Sequence, residues 1–300
     1  MDSLNNPLVS IIVNCFNGEK FLKESLESVV NQSYKNWEVI FWDNKSLDNS
    51  KKILHSFKDK RFKYFSASEH TTLYRARNLA VKESQGDLIA FIDVDDLWEK
   101  NKLEIQVSLF ENSEIAAVYS NLWIIKNNLS KKKLFIKNKA PSGYIYEQLL
   151  DNYNVGIITA IFRKKVVANF NKIFDERFSI IGDFDFFLKL SKSNYFHYVS
   201  FPLAYYRIHD SNFSSVYKKK EMLEYDIWLK ENKKNIPLKS LKKIEKKINL
   251  RKFLHFKFEK DYKNSLKILF RYSGSILGIK MLIIFFTPLY LLRKISWFHS

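Results

Sequence analysis

The sequence contains a single cysteine, Cys15, so no disulfide bond can form within the chain. A lone cysteine fits a protein of a reducing compartment. Residues 1–7 lack a basic segment followed by an apolar one, so we expect no secretory signal and a cytoplasmic location. Only 5 prolines and 7 glycines in 300 residues exclude a low-complexity chain, and we expect a folded protein with a large core.

Several motifs of known chemistry are also missing. The sequence has no glycine-rich phosphate loop of the Walker or dinucleotide-binding type, and no serine nucleophile elbow. No cluster of cysteine and histidine has the spacing of a zinc site. The candidates for chemistry are therefore the aspartates, and the amide and basic side chains near them.

Positive charge is concentrated in the last third of the chain. Residues 217–300 hold 21 Lys/Arg and 7 Asp/Glu, whereas residues 1–216 hold 29 and 25. We expect a globular domain at 1–216, and at 217–300 a Lys-rich helical tail. Such a tail suggests an anionic partner, either a membrane surface or a nucleic acid.

The first hundred residues alternate between apolar β-branched runs and segments of helical periodicity. The runs predict strands at 8–16, 37–42, 62–65 and 88–92, with helices at 21–30, 46–57 and 73–84. Further along we expect strands at 116–125 and 156–162, helices at 144–150 and 180–190, and a polar loop at 127–139. This order predicts an α/β fold with a mostly parallel sheet flanked by helices, whose ligands bind beyond the carboxyl ends of the strands.

Asp93, Asp95 and Asp96 directly follow the strand predicted at 88–92. Carboxylates this close repel one another and lose hydration on burial unless a cation neutralises them. Mg²⁺ and Mn²⁺ favour oxygen ligands, commonly one or two carboxylates completed by diphosphate oxygens and water. The run predicts a divalent-metal site; the alternative is a surface turn whose aspartates cap the next helix.

Three other polar residues lie near ends of predicted elements. Asp43 can accept from a nucleobase N–H or a ribose hydroxyl, or it can be a turn or capping residue. Arg77 and Asn78 lie near the start of a helix, where a guanidinium favours a diphosphate; the alternative is a solvated helix face.

Two further residues have more than one interpretation. Asp183 follows Gly182 and precedes a run of phenylalanines, so it can be a general base of raised pKa or the N-cap of the next helix, and the residues alone favour the cap. His209 can be a metal ligand, a phosphate donor or a core histidine, and an isolated histidine is most often the last.

Taken together, these segments resemble the family 2 glycosyltransferases, which have the GT-A fold. The resemblance covers residues 7–215 and depends on the order and spacing of its parts rather than on any one of them. In chain order they are PLVSIIVNCFN (7–17), EKFL (19–22), SVVNQSY (28–34), WEVI (37–40), DNKSLD (43–48), ARN (76–78), GDLI (86–89), the acidic run at 93–96, YRIH (206–209) and NFS (212–214).

The resemblance implies transfer of a sugar from a nucleotide-diphosphate sugar, with a UDP-sugar favoured, to an acceptor hydroxyl with inversion. It implies Mn²⁺ or Mg²⁺ as cofactor, a glycan or lipid-linked acceptor, and a role in bacterial-type surface polysaccharide or glycolipid synthesis. Asp183 would be the catalytic base, and Asp95 and His209 would hold the metal. The implied nucleotide-sugar contacts are Asn14, Phe16, Asn17, Glu19, Asp43, Arg77, Asn78, Asp93, Val94 and Arg207.

Three positions depart from the family pattern. Asn44 stands where a second acidic residue is usual, and Lys45 where a glycine is usual, which affects donor contacts. Gly182 replaces the acidic residue usually found before the base, which affects acceptor positioning. The departures at Asn44 and Gly182 keep open a catalytically weak sugar-nucleotide-binding homologue. A metal-dependent nucleotidyltransferase is a second alternative, because such enzymes also use aspartates with a metal on an α/β sheet, although the glycine-rich loop usual for them is missing.

The tail contains the most apolar stretch, 276–292, interrupted by Lys280 and Pro288. Its uncharged part is shorter than the roughly 20 residues that a membrane-spanning helix needs. We expect either an interfacial helix at the inner face of the plasma membrane or a helix buried against the catalytic domain. A nucleic-acid-binding protein would leave the carboxylates unexplained, so we expect no nucleic-acid partner.

Overall fold

The computed structural model describes residues 6–126, 128–210, 212 and 218–296. The chain forms two compact units, Met1–Asn212 (unit 1) and Phe213–Ser300 (unit 2). Unit 1 contains strands and helices, whereas the described part of unit 2 is helical.

Unit 1 alternates strands with helices along its first hundred residues, as the sequence predicts. Its strands are β1 Val9–Cys15, β2 Trp37–Asp43, β3 Phe62–Ser66, β4 Leu88–Phe91, β5 Leu97–Trp98, β6 Ile115–Lys126, β7 Asn128–Leu134, β8 Ile161–Arg163 and β9 Tyr195–Ile208. Its helices are α1 Glu19–Val30, α2 Ser50–Ser56, α3 Leu73–Lys82, α4 Lys102–Ser108, α5 Tyr146–Asp151 and α6 Gly182–Ser191. Short 3₁₀ helices cover Leu109–Glu111, Ile157–Thr159 and Lys164–Val167.

In the described residues these strands form one nine-stranded sheet in the order β3-β2-β1-β4-β8-β6-β9-β5, with β7 paired to β6. β1 is parallel to both β2 and β4, and β2 is parallel to β3. Cys15 at the end of β1 lies opposite Asp43 at the end of β2, and Ile12 lies opposite Phe91 at the end of β4. The polar residues that follow these three strands therefore meet at one edge of the sheet.

The continuous apolar runs of these strands are explained by burial. Val9, Ile11 and Val13 in β1 are fully buried, and so are Val39 and Phe41 in β2. Strands covered on both faces lack the alternation of a half-exposed strand, because each side chain enters a packed layer. This burial supplies the main stabilisation of unit 1 and fixes the edge at which the polar residues emerge.

The other half of the sheet is mixed. β8 is antiparallel to β4 and β6, while β6 and β9 are parallel and β5 is antiparallel to β9. The β5–β9 pair sets Leu97 opposite Tyr205. This pairing carries the end of β9 to the turn that follows β4, although the two segments lie more than a hundred residues apart in the chain.

The prediction of a polar loop at 127–139 is wrong over residues 128–134, which form β7 against β6. Residue 127 lies outside the described residues. β7 pairs with β6 and carries Lys131, Lys132 and Lys133. Lysines are a common protection of edge strands against pairing with other chains, and they hide a strand from hydropathy-based reasoning.

The strand predicted at 156–162 is also shorter than expected. Residues Ile157–Thr159 form a 3₁₀ turn in which the backbone N–H and the hydroxyl of Thr159 both donate to the Gly156 carbonyl, at 2.9 and 2.6 Å. The strand itself, β8, covers only Ile161–Arg163. Threonine competes with strand pairing through such local bonds, which apolar periodicity does not reveal.

Unit 2 is described as five helices: α7 Lys218–Asn232, α8 Leu238–Phe258, α9 Tyr262–Arg271, α10 Ile276–Phe286 and α11 Leu289–Ser296. Phe253, Leu269 and Met281 form its buried cluster, from α8, α9 and α10. The apolar stretch 276–292 is therefore divided between two short helices, and no described helix is long and apolar enough to cross a membrane. The predicted α/β class with a basic helical appendage is confirmed.

Gly86, in the loop before β4, allows close packing of two backbone segments. A Cβ at this position would lie 2.5 Å from the Leu8 carbonyl oxygen and 2.7 Å from the Ser10 nitrogen. We expect Gly86→Ala to lower the free energy of unfolding by roughly 2 kcal/mol or more, because backbone atoms cannot move aside as a flexible side chain can. Urea unfolding would measure this. Gln85→Ala, a change at an exposed neighbour, should stay within about 0.5 kcal/mol, and equal effects would contradict the packing argument.

Candidate active site

The turn after β4 brings three carboxylates to the edge of the sheet. The Asp96 backbone N–H donates to the Asp93 carbonyl at 3.1 Å, which closes the turn. The Ser25 hydroxyl on α1 donates to the same carbonyl at 3.1 Å. The turn is thus held to α1 by its backbone, and its carboxylates are left to other partners.

Asp95 pairs with a residue from the far end of unit 1. Its Oδ2 lies 2.8 Å from Nε2 of His209, just after β9. The Asn212 amide nitrogen lies 3.4 Å from the same oxygen. Burial and the nearby Asp93 carboxylate raise the pKa of Asp95, while the His209 ring opposes that shift. The family resemblance implied that Asp95 and His209 act together, and the structure brings the two side chains into contact.

Asp96 is almost wholly buried and is bonded on one oxygen only. Its Oδ1 accepts from the Arg207 backbone N–H at 2.9 Å, whereas its Oδ2 is buried without a hydrogen-bond partner among the described residues. Burial, together with the charges of Asp95 and Asp93, raises its pKa well above the usual range.

Arg207 connects β9 to the turn and to α1. Its Nε donates to the Asp95 carbonyl at 2.9 Å and its Nη2 to Glu24 Oε2 at 2.6 Å. The guanidinium lies over the Phe21 ring, 4.6 Å from its centre, and the His209 ring lies 4.9 Å from the same ring. Phe21 on α1 thus contacts both basic residues and Glu24 pairs with Arg207, and neither contact is evident from the sequence.

Asp93 forms an ion pair with a buried arginine. Nη2 of Arg77, on α3, lies 2.6 Å from Asp93 Oδ1, and only 3% of the Arg77 side chain is exposed. Burial lowers the pKa of Arg77, but Asp93, Tyr74 and Asp183 outweigh that effect and raise it. Arg77 therefore remains charged beside the acidic turn, as a diphosphate contact would require.

The end of β1 carries a polar side chain without a partner. Both amide atoms of Asn14 are buried and make no hydrogen bond within the described part of the chain. Buried polar atoms are normally hydrogen-bonded, so such an amide is suited to a ligand contact. Phe16, half exposed nearby in sequence, lies against His70 with ring centres 4.2 Å apart, and this pair offers an aromatic surface to a planar base.

The loops after β1 and β2 are bonded to each other. The Asn17 side chain accepts from the Leu47 N–H at 2.9 Å, and its own N–H donates to the Ser46 hydroxyl at 3.0 Å. Glu19 accepts from both nitrogens of Asn49 at 2.9 Å. Asn17 and Glu19 thus fix the loops after β1 and β2 against each other, and these two loops are called the loop edge below. The predicted donor contacts of Asn17 and Glu19 remain predictions.

Asp43 at the end of β2 is buried and shared between two donors. Oδ1 accepts from the Ser46 N–H at 2.7 Å and Oδ2 from the Tyr64 hydroxyl at 2.9 Å. Each carboxylate oxygen has a second lone pair, so these bonds fix the carboxylate without using its full capacity. Asp43 is thus a turn residue and not the N-cap of α2, where Asn49 stands, and the turn role is compatible with a donor contact.

Val94 and Asn78 have different surroundings. A Cβ at Gly18 would lie 3.0 Å from Val94 Cγ2, so the Val94 side chain packs on the loop after β1. Asn78 instead bonds to the backbone N–H and carbonyl of Phe174 at 2.9 and 2.8 Å. It lines a separate cavity of about 690 Å³ with Lys82 and Lys164. The structure therefore groups Val94 with the loop edge and gives the Asn78 side chain an anchoring role.

Asp183 occupies the first turn of α6 and is partly buried. Burial raises its pKa, and the charge of Arg77 opposes the shift. Its Oδ1 lies 3.1 Å from the Tyr74 hydroxyl, and its Oδ2 lies 3.5 Å from the Tyr153 hydroxyl. A carboxylate of raised pKa held by neutral hydroxyls near a buried arginine can accept a proton.

Tyr74 is the most informative residue that sequence reasoning missed. Its ring covers Gly182 so closely that a Cβ there would lie 2.6 Å from the ring carbons. Its hydroxyl lies 3.0 Å from the Ile180 carbonyl and 3.1 Å from Asp183. The departure at Gly182 was the signal: the missing side chain makes room for an aromatic ring that orients the next residue.

Few side chains in the described part of the chain are placed to hold a divalent cation. No group of three or more His, Cys, Asp or Glu side chains there is arranged to hold a metal ion. The Asp95–His209 pair fits a cation that takes two protein ligands and completes its shell with diphosphate oxygens, and the bare oxygen of Asp96 lies in the same turn. Mn²⁺ accepts both carboxylate and imidazole, so the donor set suits it.

Comparison with known proteins decides the family. Residues 10–170 match the sequence profile of Glycosyl transferase family 2. The chain belongs to this family. It is 32% identical over 228 residues to the Escherichia coli protein UDP-Glc:alpha-D-GlcNAc-diphosphoundecaprenol beta-1,3-glucosyltransferase WfgD, covering 75% of this chain and 86% of that protein. The predicted membership of family 2 is confirmed, and the protein is a glycosyltransferase.

Solved structures support the GT-A fold of this glycosyltransferase. TarS 1–349 of S. aureus, in complex with UDP, has a TM-score of 0.60 at 18% identity and covers 87% of this chain and 89% of its own. The mannosyltransferase PcManGT from Pyrobaculum calidifontis, in complex with GDP-Man and Mn²⁺, has a TM-score of 0.59 at 15% identity and covers 94% and 80%.

Replacing Tyr74 with Phe should move the acid limb of the pH–rate profile of transfer to higher pH. The hydroxyl favours the ionised carboxylate of Asp183. Its loss therefore raises the pKa of Asp183 further, and a smaller fraction of this carboxylate is ionised at low pH. We expect kcat to fall most near about pH 6 and least near about pH 9, with donor KM unchanged.

Initial rates across this range would measure the effect, with Tyr119→Phe as control. Tyr119 has a buried hydroxyl that donates to the Pro141 carbonyl at 2.6 Å, away from Asp183. Its removal should lower stability without moving the acid limb. Superimposable profiles for Tyr74→Phe and the wild type would contradict the orienting role.

Proposed function

We propose that this glycosyltransferase moves a sugar from a UDP-sugar to an acceptor hydroxyl with inversion of the anomeric carbon. The observation that carries the proposal is the convergence of Asp93 and Asp183 on the buried Arg77, with Asp95 beside Asp93. The named relative of this chain uses UDP-Glc, and TarS binds UDP, which favours uridine as the base.

On the donor side, the nucleotide would lie along the loop edge at the ends of β1 and β2. Asn14 and Asp43 supply an amide and a carboxylate for the base and ribose, and Phe16 supplies a ring for stacking. Asp93 would accept from a ribose hydroxyl. Arg77 would lie beside the diphosphate, and because its side chain is buried, solvent screens its charge only weakly.

A divalent cation completes this arrangement in our proposal. Asp95 and His209 would hold it. The Asn212 amide contacts both side chains, and Arg207 holds the backbone carbonyl of Asp95. When bound, the cation would supply positive charge to the departing diphosphate. PcManGT was solved with Mn²⁺ and GDP-Man, which makes Mn²⁺ the first cation to test.

For the transfer step, we assign the general base to Asp183. It would take the proton of the acceptor hydroxyl as the acceptor oxygen bonds to the anomeric carbon and the bond from that carbon to the diphosphate breaks. Tyr74 and Tyr153 would keep the carboxylate directed at the acceptor. The single displacement requires no enzyme nucleophile.

The acceptor in our proposal is a lipid-linked glycan of a bacterial surface-polysaccharide pathway, and the enzyme would work at the inner face of the plasma membrane. The supporting observation is the name of the relative at 32% identity, whose acceptor is a GlcNAc-diphosphoundecaprenol. A catalytically weak homologue, the alternative prompted by Gly182, is less well supported, because Tyr74 occupies the space at that position and orients Asp183.

The isosteric change Asp183→Asn should abolish transfer while donor binding persists. The amide cannot accept the proton of the acceptor, but it preserves the shape of the side chain. Nucleotide release from a panel of UDP-, GDP- and dTDP-sugars with Mn²⁺ would measure transfer, and titration calorimetry would measure donor affinity. Asp175→Asn, at a carboxylate that pairs locally with Arg177, is the control. Comparable turnover by Asp183→Asn would refute the assignment of the base.

Asp95→Ala should remove the Mn²⁺ dependence of UDP binding. We expect wild-type affinity for UDP to rise at least tenfold on addition of Mn²⁺ and the variant to show no such rise. Binding is titrated with and without Mn²⁺, so the result is independent of turnover. Asp59→Ala, at a surface carboxylate paired with Arg61, should respond as the wild type does. An undiminished response in Asp95→Ala would exclude this carboxylate as the metal ligand.

A further inference from the structure

Unit 2 exposes an apolar surface on α10 and α11. Ile276, Ile279, Ile283, Phe286 and Tyr290 form this surface, here called the apolar face, and their exposed fractions range from 60% to 88%. Ile276, Ile279, Ile283 and Phe286 follow one another at three or four residues, which places them on one side of α10, and Tyr290 is exposed on α11. Large apolar side chains that are exposed together, rather than singly, mark an interaction surface.

The folding of unit 2 does not require the apolar face. The opposite side of α10 already supplies its core, with Met281 buried against Phe253 and Leu269, and with Leu277 and Phe285 packed around them. Polar residues on the outward side would leave that core intact. The outward side is nonetheless as apolar as the inward side, so its composition fits a second environment outside the unit.

Charge identifies that environment. Lys280 lies between Ile276 and Ile283 in helical spacing and is exposed, so its long side chain can extend past the apolar face to an anionic group. Unit 2 as a whole carries 21 Lys/Arg against 7 Asp/Glu. An apolar stripe flanked by lysine, on a strongly basic unit, is complementary to the surface of a bilayer that contains anionic lipids.

We propose that the apolar face of α10–α11 inserts into the headgroup region of an anionic bilayer, with the helices lying in the plane of the membrane. α10 has 11 residues and α11 has 8, and the inward side of α10 stays packed on α8 and α9. The inference deepens the proposed function, because a lipid-linked acceptor is presented at this surface. It names the membrane-binding surface that the enzyme would use.

The test is flotation of the full chain with two kinds of vesicle, phosphatidylcholine alone and phosphatidylcholine with about a third phosphatidylglycerol. We expect binding to the anionic vesicles that weakens as salt is raised. Ile283→Glu should reduce the partition coefficient about tenfold or more, because it removes buried apolar surface and adds a like charge to the lipid. Circular dichroism would check that the variant is folded.

Leu238→Glu is the matched control, because Leu238 begins α8 and is 65% exposed outside the apolar face. It should float as the wild type does. Equal flotation of Ile283→Glu and wild type, or no flotation of the wild type, would overturn the proposal. So would a dimer in solution that Ile283→Glu converts to monomer without a change in flotation, because the face would then be covered by a second copy.

Vesicle binding is measured without donor or acceptor, whereas transfer is assayed on a detergent-dispersed acceptor. A failure of membrane docking therefore leaves transfer intact in the second assay. A failure of the proposed transfer leaves flotation unchanged, so the two outcomes are separable.

Discussion

The repulsion among Asp93, Asp95 and Asp96 is the constraint around which unit 1 is arranged. Three carboxylates at the end of a buried strand are costly unless positive charge and hydrogen bonds offset them. Two buried arginines do so from opposite directions, Arg77 from α3 and Arg207 from β9. Arg207 lies in β9, which pairs with β6 and β5, so the acidic turn depends on the mixed half of the sheet as well as on β4.

The base assignment depends on a second, more local constraint. Gly182 has no side chain, and the Tyr74 ring packs where one would stand. The hydroxyl of the same residue, Tyr74, bonds to Asp183. The missing side chain at Gly182 and the orientation of Asp183 therefore have one cause, the position of Tyr74. The absence of an acidic side chain at position 182 therefore does not leave Asp183, the proposed base, unoriented in this chain.

The sequence was informative where a strand end fixes the position of a polar residue. The parallel strands β1, β2 and β4 follow from apolar runs, and Asn14, Asp43 and Asp93 follow from their ends. Contacts between distant segments do not follow from any local pattern, and the suggestion that Asp95 and His209 act together came from the family resemblance alone. No strand was predicted at 195–208, where β9 lies, because its exposed and buried residues do not alternate throughout and it contains Pro202. The strand β7 was missed for a different reason, because its lysines give the segment the composition of a polar loop.

The two units differ in net charge, and so in the way each can attract an anion. Residues 1–216 are nearly neutral, with 29 basic and 25 acidic residues, so anion recognition there has to come from a few desolvated groups such as Arg77 rather than from net charge. Residues 217–300 reverse this balance with exposed lysines, whose attraction acts over about a Debye length and is weakened by salt. A short-range, buried site suits a single diphosphate, and a long-range, screened field suits an extended anionic surface. The uneven charge of the chain thus fits the two anionic partners that we propose, a diphosphate at unit 1 and a membrane surface at unit 2.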